Sequence, residues 1–384
     1  MQSSASSYEP YLSFYGEHKI SPVRQDISDI QKHFQRRGYL YRYLGLPPFS
    51  VAGKAVAEFG PGSGYNALYT TYLAPSRYVL VDGNPTGLDQ AKSLLREHFP
   101  DYAGHEFVLS RIQDYQATEA FDVVFCEGVI PHQKDPGAFA RQVGAFVKPG
   151  GVLAITTADY VSVFPEVLRR VVCDTIVSND MPLPDKVSRL VPVFESHYAS
   201  LPGASRPIED WLVDTLLDTW GNPLFSFEDA VLALSADFEV YGSSPKFITD
   251  WRWYKDLTAV NARLNDLAIA EYRSSVLSLM DCRSVILSPP RDIVATTRKL
   301  CEAAFWAMIQ IRSADDRDFD EITTICDAIV QTTKDALPNI SEPVSEVADY
   351  LRSYSRVEAK TYFKSFCPFF GRGQQYVSFV KASQ

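Results

Sequence analysis

Five residues near the start of the chain combine types and spacing suited to holding a nucleotide-like ligand. Glu58, Gly60, Gly62 and Gly64 lie in the run Glu58-Phe59-Gly60-Pro61-Gly62-Ser63-Gly64, and Asp82 follows 22 positions after Gly60. Glycines in a turn let a ligand approach the backbone, because no Cβ intervenes. A helix opening after the turn adds unsatisfied N–H groups. An acid ending the next strand accepts hydrogen bonds from ribose hydroxyls in nucleotide-binding α/β folds. The dinucleotide fingerprint G-x-G-x-x-G would need glycine at 65, where Tyr65 stands. A carboxylate at Glu58 repels a pyrophosphate but suits a cationic or amino-bearing ligand. The alternative is a purely structural glycine turn, which the ordered series of strand, glycine loop, helix, strand and acid disfavours.

These residues need a sheet to position them, and the pattern supplies one. Lys54–Phe59, Tyr78–Asp82, Phe107–Leu109, Phe121–Cys126 and Val152–Thr156 read as short strands. Helical patterns over Ala67–Leu73, Leu88–His98 and Pro136–Val147 separate them, with Lys148-Pro149-Gly150-Gly151 as a turn. Such alternation predicts a parallel sheet with helices on both faces. A helix is expected over Asp29–Leu44 and another over Val163–Ile176. A loop-rich stretch with Pro182, Pro184, Pro202 and Pro207 follows, then helices at Ile208–Leu216 and Phe227–Leu234. Phe238–Tyr241 and Gln375–Val380 are further strands, and the mostly helical block 254–366 reads as an insertion between them.

Composition bounds the function classes. The chain has 384 residues, 46% hydrophobic and 22% charged, which is globular and not disordered. Its formal charge of −10 disfavours a sequence-independent nucleic-acid binder. The six cysteines, Cys126, Cys173, Cys282, Cys301, Cys326 and Cys367, form no C-x-x-C pair, so neither a zinc framework nor a secreted disulfide scaffold is expected. No basic start with an apolar run and no membrane-length apolar stretch is present, so a cytoplasmic protein without a membrane span is expected.

Taken together, Glu58-Phe59-Gly60-Pro61-Gly62-Ser63-Gly64 and Asp82 resemble the cofactor-binding motifs of class I S-adenosylmethionine (SAM)-dependent methyltransferases. The resemblance continues through Phe121-Asp122-Val123-Val124, Gly128-Val129-Ile130-Pro131-His132, Asp135-Pro136 and Val147-Lys148-Pro149-Gly150-Gly151-Val152-Leu153, covering about residues 54–157. It implies a Rossmann-like, doubly wound, seven-stranded α/β sheet with SAM as cofactor. Gly60, Pro61 and Gly62 would lie against the methionyl part, Glu58 would orient its ammonium group, Asp82 would hold the ribose and Gly83 would line the adenine side. Where the family often carries an acid after the third strand, this chain has Arg111, leaving Ile112 to pack on adenine and Gln113 or Asp114 to supply a polar contact. Glu127 would contact SAM or shape the pocket.

The transfer itself needs the acceptor held in line, plus a base where the acceptor must lose a proton. His132 and Asp159 are the catalytic candidates. His132 stands where related enzymes often have a histidine, but it equally serves as a loop residue packed on the cofactor. Asp159 orients the acceptor or simply caps the helix after it. Tyr15 and His18 belong to a segment that would fold over the cofactor as a lid, or form an ordinary helical extension. Arg36-Arg37 marks an anionic group or a solvated face. Trp251, Trp253 and Tyr254 form an aromatic cluster, either core or ring-stacking.

The expected organisation is a helical extension or lid at 1–50, a SAM-binding core at 51–160 and an acceptor-region insertion at 161–235. A core strand at 236–250, a helical insertion at 251–370 and the last strand at 371–384 complete it. The expected activity is methyl transfer to a small-molecule or glycan- or lipid-linked acceptor, oxygen favoured, with a homodimer as one assembly. Ser288-Pro289-Pro290-Arg291 lacks the acid or amide and the aromatic of the D/N-P-P-Y/F motif. With the negative charge, it sets the expectation that no nucleic acid is a partner. The rivals are SAM-fold chemistry such as aminopropyl transfer, a non-catalytic SAM-binding protein, and an NAD-dependent oxidoreductase, which Tyr65 and Glu58 disfavour.

Overall fold

The computed structural model describes residues 10–21, 24–201, 203–249, 253, 255, 263–286, 289–353 and 363–383. Two helices, α1 (Pro10–His18) and α2 (Ile30–Tyr43), precede the sheet. The core then runs β1 (Ala55–Phe59), α3 (Ala67–Tyr72), β2 (Arg77–Asp82), α4 (Pro85–His98), β3 (His105–Leu109), β4 (Phe121–Cys126), α5 (Pro136–Ala145) and β5 (Val147–Ala158). Helices α6 (Phe164–Ile176), α7 (Leu183–Ser200), α8 (Ile208–Trp211) and α9 (Phe227–Leu234) lead to β6 (Phe238–Ser244). Four more, α10 (Leu264–Ser275), α11 (Arg291–Ser313), α12 (Asp320–Thr333) and α13 (Pro338–Ser353), intervene before β7 (Gln374–Lys381).

The seven strands form one sheet in the order β3-β2-β1-β4-β5-β7-β6. Six run in one direction, whereas β7 lies antiparallel between β5 and β6. The parallel arrangement expected for the alternating segments holds for β1–β5, and the reversed β7 makes the complete sheet mixed. The period-2 alternation of side chains sorts the strands onto two buried faces. Val56, Tyr78, Leu80, Val123 and Phe125 point to the face covered by α2, α3 and α4. Ala57, Phe59, Val79, Val81 and Val124 point to the other, whose core continues into the C-terminal helices.

Local chemistry sets the helix starts. Asn84 accepts hydrogen bonds from Thr86 and Gly87 N–H with Pro85 in the first turn, and Asp135 caps Ala138 with Pro136 likewise placed. Ser226 and Asp229 cap α9 reciprocally.

Two expectations need correction. Lys148–Gly151 is not a separating turn. β5 starts at Val147, which pairs with Phe121, and the register shift before the Val123–Val152 pair absorbs the extra residues as an irregularity within the strand. The proline-rich stretch after residue 177 is not a loop, because it contains the 18-residue α7. Pro184 sits in the first turn, where its missing N–H costs nothing, and Leu190, Phe194 and His197 bury one face.

Candidate functional site

At the carboxyl ends of the strands, beside the β1–β4 switch in strand order, lies a chamber of about 660 Å³, within the range of ligand sites. The loops after β1, β2, β3 and β4 form one half of its wall through Gly60–Gly62, Asp82–Asn84, Arg111–Gln113 and Glu127–Val129.

The glycine loop is shaped by contact. Gly60 has φ +74°, and a Cβ there would come within 2.3 Å of Val129 Cγ2. Gly64, at φ +83°, lets the loop press on α4, since its Cβ would lie 2.8 Å from that of Ala91. The third glycine thus serves helix packing, with Tyr65 left on the chamber wall.

Asp82 is tied to this loop. Its Oδ2 accepts from Gly62 N–H at 2.9 Å and its Oδ1 from Asn84 N–H at 2.8 Å. Each oxygen keeps acceptor capacity facing the chamber. Burial raises its pKa, and the backbone donors of Asn84, Gly62 and Gly83 oppose that rise. Glu58, 4% exposed, accepts from the Tyr78 hydroxyl. Burial pushes its pKa to about 7, with Glu127 adding to the rise while the Tyr78 hydrogen bond and Arg37 oppose it. A buried carboxyl on a chamber wall whose proton affinity is raised by burial fits a ligand that brings a cation.

Glu127 is held by Arg37 from α2 in a bidentate pair at 2.7 and 3.0 Å, and Asn66 Nδ2 donates a third bond at 3.0 Å. Arg37 is thereby committed within the fold and does not form a free anion site. Ile112 is buried against the chamber, and Gln113 donates to Gln133 at 3.0 Å. Tyr15 lines the chamber, fully buried, and donates to Asp214 at 3.1 Å.

The structure separates the remaining candidates. His132 lines the chamber, and its carbonyl accepts from Asn222 Nδ2 at 2.9 Å. Burial lowers its pKa, Asp218 counteracts this and Arg170 reinforces it, so the ring is neutral at pH 7. Asp159 is 3% exposed and does not line the chamber. Its Oδ1 accepts from Val161 N–H at 2.7 Å, and its Oδ2 faces the Tyr272 hydroxyl and Arg298 of the C-terminal helices. The site expectation for Asp159 is corrected accordingly, since the turn it closes directs its carboxylate into the helical packing. His18 is also outside the chamber, exposed on α1 against the edge of Phe14 at 4.9 Å between ring centroids. Trp253 is 60% exposed, and Trp251 and Tyr254 lie outside the described residues.

The other half of the wall draws partly on the stretch 161–235 expected to face the acceptor, but none of its residues was singled out in the sequence. Glu166 comes from α6, Arg206 and Asp218 flank α8, Phe305 comes from α11, and Arg372 and Tyr376 come from the approach to β7 and from β7 itself. Arg206 pairs with Asp214, and Arg170 with Asp218. Trp220 stacks on Phe305 at 5.6 Å. No spacing links positions so far apart; only tertiary packing brings them together. Among the described residues, no cluster could hold a metal ion, and no helix is long and apolar enough to cross a membrane.

Residues 57–155 match the family model described as a methyltransferase domain. The SAM-dependent class I character read from the motifs is therefore correct for this domain, and SAM is its cofactor. The chain is 34% identical over 112 residues to a tRNA U34 carboxymethyltransferase of Alteromonas mediterranea, covering 28% of this chain and 33% of that protein. It is 31% identical over 144 residues to a protein of the same name from Methylococcus capsulatus, covering 36% and 44%. The chain thus spans well under two thirds of these relatives' length. Among solved structures, magnesium protoporphyrin IX methyltransferase from Synechocystis aligns at TM-score 0.37 and 14% identity, covering 64% of this chain and 92% of that one. The N-methyltransferase NodS from Bradyrhizobium japonicum aligns at 0.31 and 17%, covering 40% and 74%. The exclusion of nucleic acid is overturned by the tRNA-directed names of the sequence relatives. Net charge describes the whole surface and does not exclude a local RNA contact.

Proposed function

We propose that this chain is a SAM-dependent methyltransferase whose chamber holds the cofactor on the β1–β4 side and the acceptor on the side built by α6, the α8 region, α11 and the start of β7. The observation that carries this reading is the linkage of Asp82 to the glycine loop through Gly62 N–H, with the buried Glu58 carboxyl beside it. Asp82 receives the ribose hydroxyls, Glu58 faces the ammonium group, Ile112 packs on the adenine and Gln113 supplies a polar edge. Glu127, fixed by Arg37 and Asn66, keeps the floor of the site in place, and Tyr15 closes it from α1. SAM supplies an activated sulfonium methyl. The protein's task is then to align the acceptor, exclude water and take up its proton. Neutral His132 is the proposed proton acceptor, consistent with an oxygen nucleophile on a small or glycan- or lipid-linked compound.

A second reading follows from the relatives named tRNA U34 carboxymethyltransferase: the acceptor is a tRNA nucleoside entering the same half-chamber. Their match is confined to about a third of this chain.

One experiment tests both. The protein is incubated with methyl-labelled SAM and, separately, a metabolite extract and total tRNA, and the labelled product is identified by mass spectrometry. Label in a metabolite supports the first acceptor class and label in tRNA the second. Absence of SAM binding by calorimetry removes the whole reading. Methylthioadenosine in place of S-adenosylhomocysteine as by-product would point to aminopropyl transfer.

A further inference from the structure

We infer that Glu166 is an acceptor-binding residue that takes a cationic, amine-bearing compound by its ammonium group. This inference rests on the proposed division of the chamber into a cofactor half and an acceptor half. Glu166 stands in the first turn of α6 and lines the chamber, yet it is 8% exposed and its Oε2 is buried with no hydrogen-bond partner. A carboxylate stripped of water with one oxygen left unpartnered is costly, so either it keeps its proton or a cation arrives to meet that oxygen.

The neighbouring charges are already committed. Asp214, Asp218 and Glu127 have the guanidinium partners Arg206, Arg170 and Arg37. On the same helix as Glu166, Arg169 donates to the carbonyls of Pro165, Phe366 and Cys367 and lies 3.7 Å from the Phe370 ring centroid, and it forms no ion pair within 4.0 Å among the described residues. Arg372, from the segment facing α6, donates its Nε–H to the Ser278 carbonyl at 3.2 Å. Cys282 also lies near enough to feel the Glu166 charge. Burial raises the Glu166 pKa to about 7, while Arg169, Arg170 and the backbone N–H groups of Glu166 and Gly371 oppose the rise.

The loop opposite is built around this carboxylate. A Cβ at Gly371 would lie 1.9 Å from the Ser162 carbonyl oxygen and 3.2 Å from Glu166 Oε2, so only glycine allows the segment to close there. Gly373 N–H then bonds Ser162 at 3.2 Å, fixing Arg372 and Gln374 on the chamber wall. Trp220, Phe305 and Leu224 supply apolar wall in the same chamber. An anionic pole in a partly aromatic chamber selects an amine on an apolar or ring-bearing frame.

Benzylamine is the probe, with benzyl alcohol and benzoate as the neutral and anionic comparisons. Binding to the full chain saturated with S-adenosylhomocysteine is measured by calorimetry at pH 6 and pH 8. The expected result is benzylamine binding about tenfold tighter at pH 8 than at pH 6, where most of the carboxyl is protonated. Glu166→Gln should weaken the pH 8 binding at least tenfold and abolish its pH dependence, while S-adenosylhomocysteine affinity stays unchanged. Equal binding of benzylamine and benzoate, or benzylamine affinity unaltered in Glu166→Gln, overturns the inference. Glu166→Asp, which keeps the charge, should retain part of the binding; if it behaves like the amide variant, the side chain serves packing and the inference fails. Loss of S-adenosylhomocysteine binding by the unmutated chain would instead refute the proposed function.

Discussion

Arg37, in the middle of α2, and Glu127, at the end of β4, form a bidentate ion pair in which each side chain is 8% exposed. The pair clamps the N-terminal helix across the sheet edge and shapes the floor of the chamber. Breaking it leaves Glu127 buried with only Asn66 as a donor. Arg37→Ala is therefore expected to destabilise the chain by about 3–5 kcal/mol, the cost of an orphaned buried charge. Urea unfolding monitored by circular dichroism measures this, and a loss below about 1 kcal/mol would show that the pair contributes little.

Asp82→Ala should weaken SAM binding by roughly 1–3 kcal/mol, since the ligand hydroxyls would face a wall without an acceptor. Unchanged affinity by calorimetry would remove Asp82 from the ribose site.

Glu58 links binding to pH. With its pKa near 7 in the empty site, about half of the molecules carry a proton there at neutral pH. A bound cation favours the ionised form, so SAM binding at pH 7 should release a fraction of a proton. Calorimetry in buffers of different ionisation enthalpy reads this directly, and Glu58→Gln should abolish it. Identical heats in all buffers for the unmutated protein would contradict the assignment.

His132→Ala should slow methyl transfer while leaving SAM affinity intact, because the ring lies on the chamber wall and is neutral. Full turnover in this variant would exclude the histidine as base.

His197 sits 1% exposed against Phe194, Phe363 and Phe366, with its Nδ1 unpartnered and Arg169 nearby, and its pKa is lowered to about 3. The unfolded chain protonates this residue near pH 6.5, whereas the folded chain does so only near 3. The unfolded state thus binds more protons between these values, and stability falls as pH drops through that window by up to about 1.4 kcal/mol per unit. His197→Phe should flatten the decline between pH 6 and pH 4 in thermal unfolding. An unaltered slope would show that another group governs it.

Much of the cofactor half of the site is written in the sequence, because its determinants are local. The glycine run and the acid at Asp82 each act within a few residues of the strand they end. Residue type and spacing against the neighbouring strand and helix therefore reveal them. The long α7 escaped because prolines read as breakers, although Pro184 falls in the first turn where a helix tolerates it. The antiparallel sense of β7 also has no local signature, since a strand reads the same in either direction. Asp159 and His132 show the limit most clearly. Both lie after strands that end at the chamber, yet one turn aims its ring inward and the other buries its carboxylate against Tyr272. For the half of the chamber proposed to take the acceptor, the sequence pointed to the stretch 161–235, but tertiary structure decided which residues meet there. Glu166, Arg206, Trp220, Phe305 and Arg372 converge because α6, the α8 region, α11 and the approach to β7 share one apolar core; periodicity shows that each element buries a face, not which distant element it buries that face against.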